Sequence, residues 1–252
     1  MLKRVVTADA PGGKRKREKF EPTKSLAISY ERSLRKIAKH IGTLSELLDP
    51  DATQSPQPLI DALERYSRTL EPWAESVAQR MLEDADRANK RDWRSHAAQM
   101  GRLLREEIEQ APTGETLQLL QMEQVALITS IPREAALRVQ KLARESLITG
   151  SRSTSIRDEI MRSGEVTASR ATLIARTETS KASTLLTQAR AQAVGSTGYI
   201  WRSHRDARTR KSHRGMNGQF VAWDDPPELD GLKGHAGCIP NCRCFAMPVF
   251  PS

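Results

Sequence analysis

One change of pattern constrains this chain more than any other feature. From Leu26 to about residue 195, apolar residues recur at intervals of three and four, the spacing of helices that bury one face. After Gly198 that spacing stops. The remaining segment is rich in Gly and Pro, and it holds all three cysteines and three of the five histidines. The pattern predicts a mainly α protein with a small C-terminal α+β cap. An elongated helical body over about residues 25–195 is followed by short strands and Gly/Pro-rich loops.

Within the body, Leu26, Tyr30, Leu34, Ile37, Ile41, Leu44 and Leu48 form one stripe, which Asp49-Pro50 ends. Leu59, Leu63, Tyr66, Leu70, Trp73 and Val77 continue at four-three spacing after a polar link. Pro72 predicts a kink or a fresh helix start. Trp93, Ala97, Met100, Leu104 and Ile108 resume the stripe. Thr113 is placed to cap a further helix, Pro132 to start the next at its first turn, and Gly150 to stop it. A short helix then ends near Gly164, and Thr167 is placed to cap the last long one, which ends at Gly195. Beyond it, Tyr199 to Trp201, Phe220 to Trp223 and Phe245 to Phe250 read as strands.

Composition agrees with wide solvated helix faces. Of 252 residues, 38% are hydrophobic and 28% charged, too little apolar content for one thick core. The net charge of +9 favours nucleic acid or an acidic protein surface as partner. No apolar run reaches the roughly 20 residues that span a membrane, and the N-terminus lacks a signal-peptide core. An odd cysteine count argues against a disulfide framework and for a reducing cytoplasm. Residues 1–23 read as a disordered basic arm, in which Lys14, Arg15, Lys16, Arg17 and Lys19 either stay solvated or touch phosphate.

Cys238, Cys242 and Cys244 form C-x3-C-x-C. Thiolates and imidazoles suit a tetrahedral zinc ion, so the three cysteines with His235 or His213 are candidates for a structural zinc site. The same cysteines also read as small buried hydrophobes, or as a pair that oxidises. Asp206, Arg208, Arg210 and His213 read either as an acid–base or phosphate site or as an ion-pair network that locks a turn. Trp201 and Trp223 read as core of the cap, able to stack on a base only if exposed. Arg176 and Glu178 lie two apart on a helix and so face different neighbours.

These residues also occur in an order that resembles a known family. A-R-T-E in a helix, a Gly-x-x-Gly end, W-x4-D-x-R-T-R-x2-H-x2-M-N-G and N-C-R-C together resemble the phage minor head, or head-morphogenesis, family of the phage Mu F and phage SPP1 type. The resemblance covers roughly residues 150–250. It falls on Arg176, Thr177 and Glu178, on Trp201, Asp206, Arg208, Arg210, His213 and Gly218, and on Cys242, Arg243 and Cys244. It implies a structural virion protein, not an enzyme, present in few copies and made in the host cytoplasm. The implied partners are the portal protein, a major capsid or scaffold protein, and double-stranded DNA at the exit vertex. It divides the chain into the arm, a partner-binding helical body over 24–150, and a minor-head module over 151–252. Some relatives carry a toxin-like enzyme domain after the module, for which eight residues past Cys244 leave no room.

Two other functions remain open to the residues alone. One is a metal-dependent nuclease or hydrolase using His213, Asp206 and the cysteines, since His204, His213, Asn217 and His235 are superficially like a His-Asn-His nuclease. Such a site needs a helix after its central residue, and here a strand is expected. The other is a nucleic-acid-binding protein of a host, for which no recognition-helix motif or aromatic-rich sheet is present.

Overall fold

The computed structural model describes residues 20–49, 55–97, 102–149 and 153–250. The basic run of Lys14, Arg15, Lys16, Arg17 and Lys19 lies outside them. Among the described residues, seven helices precede the cap: α1 (Lys24–Leu47), α2 (Gln57–Thr69), α3 (Glu71–Ala97), α4 (Arg102–Gln110), α5 (Gly114–Thr149), α6 (Ser153–Met161) and α7 (Ser163–Ala193). Then follow β1 (Gly198–Arg202), a single helical turn α8 (Lys211–Gly215), β2 (Phe220–Ala222), β3 (Glu228–Leu229), β4 (Leu232–Lys233) and β5 (Phe245–Val249). The chain forms two compact units, each discontinuous in sequence, whose boundaries fall inside helices. No helix among the described residues is long and apolar enough to cross a membrane.

The first unit comprises Lys24–Ala85 and Leu117–Thr179 and is all helical. Leu34, Ile37 and Ile41 of the predicted stripe are fully buried, as are Leu59 and Leu63. The stripe fades at Leu44 and Leu48, which are half-buried, because a seven-residue repeat drifts around a straight helix. Pro72 sits in the first turn of α3, where its missing N–H is not needed. Gly42 and Gly164 let α1 and α7 touch: a Cβ on Gly164 would lie 3.0 Å from the Gly42 Cα. A buried chain of hydrogen bonds ties three helices, with Tyr30 Oη donating to Gln124 Oε1 and Gln124 Nε2 donating to Glu178 Oε2, each at 2.8 Å.

Two sequence expectations are corrected here. Pro132 does not begin a helix but lies inside α5. Proline removes the N–H that would bond to the carbonyl four residues back, that of Ile128; the neighbouring carbonyl, Thr129 O, accepts from Ser67 Oγ at 2.7 Å. Thr167 does not cap the last helix, which already starts at Ser163; its hydroxyl donates back to Ser163 O at 2.7 Å.

The second unit comprises Asp86–Thr116 and Ser180–Ser252, with the described residues before Lys24. Its three-stranded antiparallel sheet has the order β2-β1-β5, pairing Tyr199 with Val221 on one side and with Pro248 on the other. β3 and β4 make a separate two-residue ladder. β1, β2 and β5 fall where the apolar runs place them, whereas β3 and β4 lie in a segment that the sequence assigns to turns. Gly195, at φ +81°, ends α7, and Ser196 N–H donates to Ala191 O at 2.9 Å. Gly198 is obligatory, because a Cβ there would meet Val221 O at 2.4 Å. Trp201 and Tyr199 are fully buried and Trp223 nearly so, as expected of a core. Phe20, which the sequence assigns to the arm, is buried with its ring 4.9 Å from that of Trp93.

Candidate functional site

The sheet, α8 and the loop before β5 converge on His213. It is the buried residue of α8, and its ring meets that of Trp201 edge-on, with centroids 5.7 Å apart. Its Nδ1 lies 3.3 Å from Cys242 Sγ and 3.7 Å from Cys244 Sγ. All three residues are buried, and their donor atoms lie within 4.8 Å of one another. His213 Nε2 is also buried, with no hydrogen-bond partner among the described residues. The set of one imidazole and two thiols suits a soft or borderline metal such as zinc.

The backbone prepares one of these sulfurs. Gly237 N–H and Cys244 N–H both donate to Cys242 Sγ, each at 3.4 Å. Gly237 adopts φ +86°, and a Cβ there would lie 2.9 Å from Thr184 Oγ1 and 3.0 Å from Cys244 O. Only glycine brings its N–H to that sulfur. The Cys244 S–H pulls the Cys242 thiol below its ordinary pKa against burial, helped by His213 and the two N–H groups. Cys244 is pushed up by the same neighbour and by its own burial, so the pair gives up one proton readily and resists losing two.

The other metal candidates stand apart. Cys238 is half-buried and outside the three-residue cluster. His235 Nδ1 lies 3.3 Å from Tyr199 Oη, and burial lowers its pKa. Tyr199 Oη accepts from Ala236 N–H at 3.1 Å. The loop from His235 to Cys238 is thereby fastened to β1 by a tyrosine, as well as to Cys242 Sγ through Gly237 N–H.

Asp206 works as the clasp of a turn. Its side chain accepts from Arg208 N–H and Thr209 Oγ1, each at 3.1 Å, and both its oxygens accept from the Arg243 guanidinium. Arg243 is the main reason its pKa lies well below the usual carboxylate range. Arg210 donates to Pro240 O at 3.0 Å, and the Arg208 side chain is 76% exposed. Gly218, at φ +86°, makes the turn into β2 and donates to Trp201 O at 2.8 Å. His204 pairs with Glu21 at 3.1 Å, and Asn217 Oδ1 accepts from Ser203 N–H at 3.0 Å. His204, His213, Asn217 and His235 thus have different partners, and β2 follows Asn217. Arg176 is exposed, whereas Glu178 is buried against Gln124.

A buried network in the second unit escaped sequence reasoning. Arg190 is 1% exposed and donates to Asn89 Oδ1 at 2.6 Å and to Asp86 Oδ1. Asn89 Nδ2 donates to Thr187 Oγ1 at 2.7 Å. Burial alone would raise the Asp86 pKa, but hydrogen bonds from Lys90 and Arg190 lower it. One signal was present: Arg190 continues the four-residue spacing of the buried Ala182 and Leu186. The pairing of Asp206 with Arg243 had no such signal, being a contact across 37 residues.

These features define a helix-and-cap module closed by a histidine–cysteine knot. Residues 138–247 match the family described as phage Mu protein F like protein, which supports placing the chain with the phage minor head proteins. The family is one of phage head proteins. An uncharacterized protein of Haemophilus influenzae (strain ATCC 51907 / DSM 11121 / KW20 / Rd) is 30% identical over 198 residues. That similarity covers 77% of this chain and 44% of the relative's length, so the chain spans less than half of the protein it matches. No solved structure matches.

Proposed function

We propose that the protein is a structural minor head protein that associates with the portal during procapsid assembly and lies at the vertex through which DNA passes. The observation that carries this reading is the family match over residues 138–247, which takes in all of α7 and the whole histidine–cysteine knot. The helices of residues 24–150 supply the surface for the portal and for a major capsid or scaffold protein. The net charge of +9 supports a role beside DNA, with the run from Lys14 to Lys19 as its phosphate contact.

The test is co-expression with the portal protein of the element that encodes this chain. Co-elution from a sizing column is expected; separate elution at concentrations that assemble procapsids would remove the portal reading. DNA contact is tested separately by titrating salt against binding. Phosphate contacts give an affinity that falls steeply with log salt, and no binding at low salt removes that part alone.

A further inference from the structure

We propose that His213, Cys242 and Cys244 bind one zinc ion through three protein ligands, and that its fourth position opens into the adjoining basic pocket to hold water or a small oxyanion. The ligand spacing is the first argument. With Zn–S near 2.3 Å and Zn–N near 2.0 Å at tetrahedral angles, neighbouring donor atoms lie about 3.5–3.8 Å apart. The two nitrogen–sulfur separations, 3.3 and 3.7 Å, lie on either side of the nitrogen–sulfur value of about 3.5 Å, and one ring nitrogen faces both sulfurs at once. A single N–H can serve only one of them well, whereas a metal between the three atoms serves all.

The second argument is the amide cradle. Two backbone N–H groups point at Cys242 Sγ, and Gly237 holds a left-handed conformation in a space that excludes any Cβ. Neutral thiols are weak acceptors; a metal-bound thiolate makes full use of two donors.

The third argument fixes the number of ligands. Cys238 lies outside the cluster and His235 is engaged by Tyr199, so neither completes a closed four-ligand site. Instead, His213, Cys242 and Cys244 line a pocket of about 140 Å³, well beyond the roughly 30 Å³ share of one water. Its other walls include His204, Thr209, Arg208, Arg210 and Arg243, and no carboxylate among the described residues. Asp206 pairs with Arg243 and lies 3.9 Å from Arg208, and Asp230 lies 4.0 Å from Arg210, so these two carboxylates offset part of the charge of three arginines and the lining stays net basic. An open fourth position distinguishes exchangeable zinc sites from closed structural ones. The proposal does not depend on the portal reading.

The experiment uses the full chain purified without chelator from zinc-supplemented medium. Elemental analysis is expected to find about one equivalent of zinc; less than roughly a tenth of an equivalent overturns the site. The cobalt-substituted protein should show a thiolate-to-cobalt charge-transfer band and the visible bands of a tetrahedral ion. Azide or inorganic phosphate should shift the visible bands, while Cys238→Ser should leave the spectrum unchanged. Bands that ignore both anions, or that change in Cys238→Ser, overturn the open position. His213→Ala and Cys242→Ser should lose the metal. If they fail to fold, the stoichiometry and anion response of the unmutated protein still decide.

Discussion

The two compact units are stabilised in different ways. In the unit of residues 24–85 and 117–179, stability is distributed along apolar seams, with Leu34, Ile37, Ile41, Leu59 and Leu63 each fully buried. The unit that carries the sheet has its own apolar core, around Trp93, Tyr199 and Trp201, and there residues far apart in sequence also meet at a few polar junctions. Arg190 joins Asp86 to Asn89, Arg243 clasps Asp206, and His213 meets two thiols. Seams degrade gradually as side chains shrink. Junctions fail when one partner leaves, because the others remain buried without it.

The largest effect is therefore expected at Arg190. Arg190→Ala leaves Asp86 and Asn89 facing a void and should lose about 3–5 kcal/mol in urea unfolding. A loss below about 1 kcal/mol would mean that the network is not a junction. Next comes the seam: Leu34→Ala should lose about 2–5 kcal/mol, and Leu34→Met less than about 1.5 kcal/mol. Equal losses in those two variants would contradict a seam held by volume. Gly164→Ala tests the closest helix contact and should lose about 1–3 kcal/mol, since the Cβ meets backbone that cannot swing aside. Unchanged thermal stability there would place the helices further apart than Gly42 and Gly164 require.

The smallest effect is at the clasp. Asp206 is partly exposed, so Asp206→Asn should lose about 1 kcal/mol or less near pH 7. Its folded pKa is depressed, so the carboxylate contributes above its unfolded value, about 4, and loses that contribution as pH falls through the folded value. Melting curves of the two proteins should differ at neutral pH and converge in acid. A gap that widens toward acid would reverse the sign and remove the Arg243 pairing as its cause.

The seams were legible in sequence because each is set by residues three and four apart, and β1, β2 and β5 because each is a short apolar run; the two-residue strands β3 and β4 are not apolar runs and were not legible. What was not legible depended on distant neighbours. Helix α5 continues through Pro132. Thr167 resembles a cap, but the helix had already begun at Ser163. At the site, residue types named the participants and the fold chose among them. His213, Cys242 and Cys244 meet, while Cys238 and His235 lie elsewhere, because Gly237 and Tyr199 set the path of the loop between them.

The central claim is that this chain is a structural component of a phage head, placed at the portal. Quantitative mass spectrometry of purified procapsids from the element that encodes it tests this most directly. The account predicts a few copies of the chain per particle, lost together with the portal when the portal gene is deleted. Procapsids that contain the portal but none of this chain, from cells where both are made, would contradict it.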